Sequence, residues 1–235
     1  MGLFDKKYCD ICGEKIGLLG NKKLADGNMC PKCLKNASPY LIGRSNFTVD
    51  DMKEHFEYRT KNKDILASFN ATSSFGMGVK IHIDEPQGLW LVTSSRSYKS
   101  ENPDVMNTSQ VTGCIIDVDE TRKEMKFKAP DGTEKSFTPP RYDIDYDIYV
   151  LISINSPWFS EIKVKCNDSR IAERNSEEYR SAERAANDIK AALTAVHAEN
   201  KEALKPKTSV VCPHCQATTL PDENGCCEYC GGAIG

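Results

Sequence analysis

Between residues 79 and 166 apolar and polar positions alternate with a period of two, the pattern of strands that bury one face. Val79, Ile81 and Ile83 interleave with Lys80, His82 and Asp84, which puts His82 on the polar face. Pro86, Gln87 and Gly88 make a turn into a strand at 89–93. Further strands are predicted at 111–118, 124–128, 136–138, 143–154 and 161–166, with residues 129–132 as a turn. Six or seven strands joined largely by short turns pair antiparallel, because parallel neighbours need long crossovers.

Beyond the strands the period lengthens to that of a helix. Tyr179, Ala182, Ala186, Ile189, Leu193 and Val196 recur at steps of three and four, and Asn175 with Glu178 can cap the start. This predicts a helix over 175–202, about 42 Å long at 1.5 Å per residue. Its apolar stripe can cover the open end of the sheet or pair with a second copy as a homodimer. Asn200 interrupts the seam before three full heptads, which favours packing on the chain's own core. A second helix is expected at 48–70, started by Thr48 and Asp51, with Met52, Phe56, Ile65, Leu66 and Phe69 as its apolar positions. His55, beside Phe56, reads as a packing or surface residue. Consecutive antiparallel strands followed by one amphipathic helix resemble a pleckstrin-homology-like (PH-like) fold: α+β, an antiparallel β-sandwich or barrel closed by a long C-terminal helix. That resemblance implies a binding platform for proteins, peptides or lipid headgroups, without catalytic machinery. It carries over no particular residue, since no dense Lys/Arg cluster falls in the first hairpin loop.

Cysteine spacing brackets this domain. Cys9 and Cys12 are followed after seventeen residues by Cys30 and Cys33; Cys212 and Cys215 are followed after eleven by Cys227 and Cys230. Paired C-x2-C knuckles at such separations are metal-site spacings. Four thiolates close a zinc tetrahedron and leave no position for water, so both sites read as structural Zn²⁺ sites; a rubredoxin-like iron or an iron–sulfur centre is the softer alternative. Pro31 can open a short helix through Cys33, Leu34 and Lys35. The run Cys9, Asp10, Ile11, Cys12, Gly13, Glu14, Lys15, Ile16, Gly17, Leu18, Leu19, Gly20, continuing through Leu24, Ala25, Asp26, Gly27 to Cys30 and Cys33, resembles the zinc finger of a bacterial family, domain of unknown function 4428. The resemblance covers about the first fifty residues and implies a zinc finger fused to varied domains with no known catalytic activity. The tail resembles a zinc ribbon, with His214 as a knuckle side chain. The organisation is thus a finger at 1–47, a linking helix at 48–70, a PH-like domain at 71–204 and a ribbon at 205–235, after a linker at 205–209.

Composition narrows the function. Of 235 residues, 28% are charged and 39% hydrophobic, as in an ordinary folded protein. The longest apolar run, 148–154, is too short for a bilayer of roughly 30 Å. Residues 1–10 lack a secretory h-region, and eleven cysteines with eight in knuckles suit a reducing compartment, so a cytoplasmic location is expected. Of the other three, Cys114 and Cys166 read as small core residues and Cys226 as a substitute ligand. The formal charge of -3 falls further when eight thiolates take up two zinc ions, which makes nucleic acid a poor partner. Eight Lys or Arg within 1–48 leave a weak basic bias there. Asp143, Asp145 and Asp147 share one strand face and could bind a cation, but an acidic solvent face is the simpler reading. Trp158, Phe159 and the segment 16–19 are the apolar candidates for partner contact. The expected function is a non-catalytic interaction protein, presenting a PH-like platform and two zinc modules to protein partners. Its alternatives are a peripheral membrane adaptor through the PH-like domain and a nucleic-acid-binding ribbon protein.

Overall fold

The computed structural model describes residues 6–203, 210–219 and 226–234, with the side chains of the last helix described through residue 195. The linker at 205–209 therefore lies outside the described residues, and Val196 and Asn200 outside the described side chains.

At the N-terminal end, two short hairpins carry the first knuckles. β1 (Lys7–Tyr8) pairs with β2 (Lys15–Ile16), and β3 (Lys22–Lys23) with β4 (Asn28–Met29). One helical turn, α1 (Pro31–Leu34), follows, with Pro31 in its first turn and Cys30 as its N-cap. These pieces surround a small apolar cluster that includes Leu24, Met29, Leu41 and Met52. The next helix, α2 (Val49–Ser68), opens with a reciprocal cap: the Thr48 hydroxyl accepts from the Asp51 N–H at 3.1 Å, and the Thr48 N–H donates to Asp51 Oδ2 at 2.7 Å.

Around α2, Met52, Leu66 and Phe69 of the expected apolar set are buried, but the helix also buries polar side chains. Its buried positions are Met52, His55, Arg59, Asn62 and Leu66, a three–four repeat with three polar residues at its centre, whereas Ile65 is exposed. Polar groups tolerate such burial best when hydrogen-bonded: Arg59 and Asn62 find protein partners, and His55 finds one at Nε2 while its buried Nδ1 has none among the described residues.

The central domain holds two antiparallel sheets. β5 (Ser73–Phe75), β6 (Lys80–Asp84), β7 (Leu89–Thr93) and β8 (Val105–Asn107) form a four-stranded meander. β9 (Val111–Glu124), β12 (Tyr142–Ile154) and β13 (Glu161–Lys165) form a three-stranded sheet in the order β13-β12-β9. Between β9 and β12 the hairpin continues into a small pair, β10 (Lys126–Lys128) and β11 (Glu134–Ser136). The strands β5 and β8 are additional to those expected, since Ser73, Ser74 and Asn107 break the apolar alternation. No ladder joins the two sheets, so they stay open and the closed barrel anticipated from the strand order is not formed.

The last helix, α3 (Glu177–Ala203), packs between them. Tyr179, Ala182, Ala186, Ile189 and Leu193 lie in one core with Ile81, Trp90, Ile148, Ile152 and Val164. Over this length the stripe is used inside the chain. Cys166 belongs to the same core and Cys114 packs against it half-buried. No helix among the described residues is long and apolar enough to cross a membrane. A final hairpin, β14 (Val210–Val211) with β15 (Thr218–Thr219), begins the C-terminal module.

Candidate metal centres

The knuckle geometry follows from local hydrogen bonding. After Cys9 the chain turns so that the Gly13 N–H donates to the Cys9 carbonyl at 2.7 Å, and Gly13 takes φ 74°, a left-handed conformation that glycine adopts without a Cβ penalty. Backbone N–H groups then point at sulfur: Cys30 N–H at Cys9 Sγ and Cys33 N–H at Cys30 Sγ, both 3.3 Å. The C-terminal module repeats the device, with the Gly231 N–H on the Cys227 carbonyl at 2.8 Å, Gly231 at φ 69°, and the His214 N–H on Cys212 Sγ at 3.4 Å.

These turns gather each set of four sulfurs within 4.8 Å of one another. Cys9 and Cys33 approach to 3.9 Å and Cys12 and Cys30 to 3.8 Å; Cys212 and Cys230, and Cys215 and Cys227, approach to 3.6 Å. A disulfide needs sulfurs about 2.05 Å apart, so none of these pairs is bonded as one. A tetrahedron with metal–sulfur bonds of about 2.3 Å has edges of about 3.8 Å, which is the spacing observed. The eight cysteines singled out from spacing thus form two sets that could hold zinc, and Cys226 lies outside its neighbours' cluster, bridged to Ala233.

The electrostatics suit a cation. Burial opposes charge on Cys9, but N–H donors from Cys12, Cys30 and Ile11 outweigh it and bring the thiol down to about 7. The Cys215 N–H, with that of His214, brings Cys212 down to about 6. Burial and then the surrounding thiols push Cys33 up. Four thiols this close cannot all ionise against one another, whereas a divalent cation removes that repulsion and releases their protons. His214 is no ligand: its ring lies over Gly232, where a Cβ would stand 2.5 Å from it.

The N-terminal centre is also bound to the central domain. Ser38, just beyond α1, donates its N–H to His55 Nε2 at 3.0 Å and its hydroxyl to Asp104 Oδ2 at 2.8 Å. Arg59 meets Asp104 at 2.6 Å, and also reaches the Asn36 carbonyl at 3.3 Å and the Asn102 carbonyl. Asn62 donates to the Pro103 carbonyl at 2.7 Å and accepts from the Val105 N–H at 2.8 Å. Finger, α2 and the edge of the first sheet are therefore joined by one buried polar network. Trp158 closes its apolar side, packing against the finger cluster and the central core, with its ring 4.9 Å from that of His55. Trp158 and Phe159, candidates for partner contact, are spent on this internal joint, Phe159 being buried. Beside it, Lys35, Phe56, Arg59, Thr60 and Lys63 line a cleft of about 450 Å³.

The Asp143, Asp145 and Asp147 face is already partnered by two cations. Arg170 pairs with Asp143 and stands 3.8 Å from Asp145, while Lys165 meets Asp147 at 2.7 Å and Asn167 donates to it at 3.1 Å. Lys165, Asn167 and Arg170 lie some twenty residues downstream, which is why the aspartates looked unpartnered in the sequence. Among the described residues, the groups with donor sets able to hold a metal ion are the two cysteine clusters.

Against known proteins, the family model described as a domain of unknown function, DUF4428, matches residues 7–55. That segment runs from β1 to the first turns of α2 and ends at His55, on the joint to the central domain. No curated protein and no solved structure gives a significant match to the chain.

Proposed function

We propose that the chain is a non-catalytic scaffold, held by two structural zinc ions, that presents a PH-like platform and its zinc modules to protein partners. The observation that carries this reading is the closed donor set: each cluster offers four cysteine sulfurs and no vacancy for a reacting ligand. Cys9, Cys12, Cys30 and Cys33 would hold one ion, and Cys212, Cys215, Cys227 and Cys230 the other. The zinc supplies folding energy and takes no part in bond making. The PH-like element is supported by four strands, then three, then a helix packed on both sheets, although the sheets are open. The acidic net charge favours protein over nucleic acid as the partner class.

Elemental analysis of protein purified without chelator should give two zinc equivalents per chain, and a count near zero removes the premise. The zinc-loaded chain, immobilised in native lysate, should then retain a protein that rebinds it in purified form. Recovery of nothing above background would sink the scaffold reading while leaving the metal sites intact.

A further inference from the structure

The turn between β2 and β3 carries two leucines with almost no cover. Leu18 is 86% exposed and Leu19 is 99% exposed, while Ile16, two residues earlier, is 5% exposed in the finger core. The Gly20 N–H donates to the Gly17 carbonyl at 3.0 Å, which closes a tight Gly-Leu-Leu-Gly tip on a base anchored by Ile16. Single exposed leucines are ordinary. Two in succession, held outward on a turn whose base is anchored in a metal-holding fold, are not accounted for by folding.

The residues behind the tip give the chemistry of what it meets. Tyr8, 54% exposed, stands opposite Lys15 across the β1–β2 pair, and Lys7 stands opposite Ile16. Lys22 and Lys23 follow the tip directly. Among the described residues none of Lys7, Lys15, Lys22 and Lys23 forms an ion pair, while the nearby acids are engaged elsewhere. Glu14 pairs with Lys32 at 2.9 Å, Asp10 accepts from the Asn28 N–H at 2.7 Å, and Asp26 from the Val49 N–H at 2.8 Å. An apolar point, then an aromatic residue and a set of uncommitted lysines, is the layering that suits a bilayer interface with anionic headgroups.

We propose that the 17–20 turn inserts Leu18 and Leu19 into the surface of an anionic lipid bilayer, with Lys7, Lys15, Lys22 and Lys23 set against its charge. A protein partner fits less well, because a specific protein interface needs about 800 Å² per side and a projecting pair of leucines offers only a fraction of it. A bilayer asks only for depth and charge. The site lies in the finger and does not depend on the platform binding a protein. With one shallow anchor and a few charges, binding is reversible and falls with salt.

The test uses the full zinc-loaded chain, sedimented with vesicles of phosphatidylcholine alone and of one part phosphatidylserine to two parts phosphatidylcholine. Binding is expected to the second only. The double variant Leu18→Ser/Leu19→Ser should weaken it by about tenfold or more per leucine. Lys22→Glu/Lys23→Glu should weaken it by about fivefold or more per charge and flatten its salt dependence. In Leu19→Trp, the new indole should shift to the blue on adding the anionic vesicles, which reports insertion without removing the apolar tip. The proposal is overturned by no binding to either vesicle, by unchanged binding in the leucine variant, or by a purified protein partner that needs Leu18 and Leu19 while vesicles are ignored.

Discussion

The two four-cysteine clusters share a donor set and a knuckle, and differ in the described residues around them. At the N-terminal centre Cys9, Cys30 and Cys33 are buried in an apolar cluster with Leu24, Met29 and Met52, and the module is tied to the central sheet by Ser38, Arg59 and Asp104. At the C-terminal centre two of the four ligands, Cys215 and Cys230, are exposed, as are Val211 and Tyr229 beside them. The hydrogen bonds that shape its knuckles, Cys212 N–H to the Ala217 carbonyl and Cys227 N–H to the Gly232 carbonyl, stay within the module. Among the described residues, the same four thiolates therefore stand inside an apolar cluster tied to a domain core in one place, and on knuckles shaped by the module's own bonds in the other. What decides is not the metal but whether neighbouring residues give the knuckle something to be buried against.

Removing a ligand from each centre probes this difference most severely. Structural zinc supplies folding energy on the order of 10 kcal/mol, and a module this small has little else. Cys30→Ser should lose one zinc equivalent and also lower the unfolding midpoint of the central domain, followed by the circular dichroism of its sheets and helices. Cys227→Ser should lose one zinc equivalent and leave that midpoint where it was. Equal shifts in the two variants would mean that the C-terminal module is as integral as the N-terminal one.

The joint itself is the next target. Arg59 and Asp104 are both buried, and taking away one partner leaves the other as an uncompensated charge, which costs about 3–5 kcal/mol. Asp104→Ala should therefore destabilise finger and central domain together, seen as one shifted transition in urea by both Trp fluorescence and circular dichroism. The pair Arg59→Met/Asp104→Asn, which removes both charges, nearly keeps volume and leaves an acceptor for the Ser38 hydroxyl, should recover much of the loss. A single variant within about 0.5 kcal/mol of the parent, the range of ordinary surface changes, would show that the network does not hold the two parts together.

Much of this contrast could not be read from the residues alone, and the reasons are specific. Cysteine spacing located both clusters because each ligand pair is local and the knuckle needs only four residues. Period-two alternation found β6, β7, β9, β12 and β13, and the apolar stripe of α3 found the core it covers, because one face of each is buried against apolar neighbours. Of the expected set, Met52, Leu66 and Phe69 are buried, Phe56 is half-buried and Ile65 is exposed; hydrophobicity alone could not show that three further inward positions are His55, Arg59 and Asn62. Their spacing alone, 52-55-59-62-66, carried the signal. Nothing local could have paired Arg59 with Asp104, or Asp147 with Lys165, because those contacts are made only once the chain has folded. The closed barrel failed for a similar reason: strand order is legible, whereas a ladder between first and last strands is a long-range event.

Acid should weaken the joint by a smaller amount. The Ser38 N–H donates to His55 Nε2, so the ring is neutral with its proton on Nδ1, and burial holds its pKa at about 4 against the ordinary 6.5, in spite of the pull of Asp104. Below pH 6.5 the unfolded chain protonates this histidine while the folded one does not until about pH 4. Stability contributed by neutral His55 is then complete above pH 6.5 and declines as pH falls through that window, by up to about 3 kcal/mol. Urea unfolding at pH 7 and pH 5, on the parent and on His55→Asn, isolates the effect: the difference between the two proteins should shrink as pH drops. A difference independent of pH would place the loss outside His55.

The smallest effect concerns the start of α2, where the finger hands over to the helix that carries the network. Thr48 and Asp51 satisfy each other's N–H groups, and Asp26 of the finger accepts a third, from Val49. Thr48→Ala removes one acceptor from the helix N-terminus and should cost about 1 kcal/mol. Because this cap lies between finger and sheet, the loss should appear in the shared transition that Asp104→Ala also shifts, and hydrogen exchange should quicken first at Val49 to Met52. If exchange quickened there with no change in the shared midpoint, the first turn of α2 would be fraying independently. The integration of the N-terminal centre would then rest on the buried network alone.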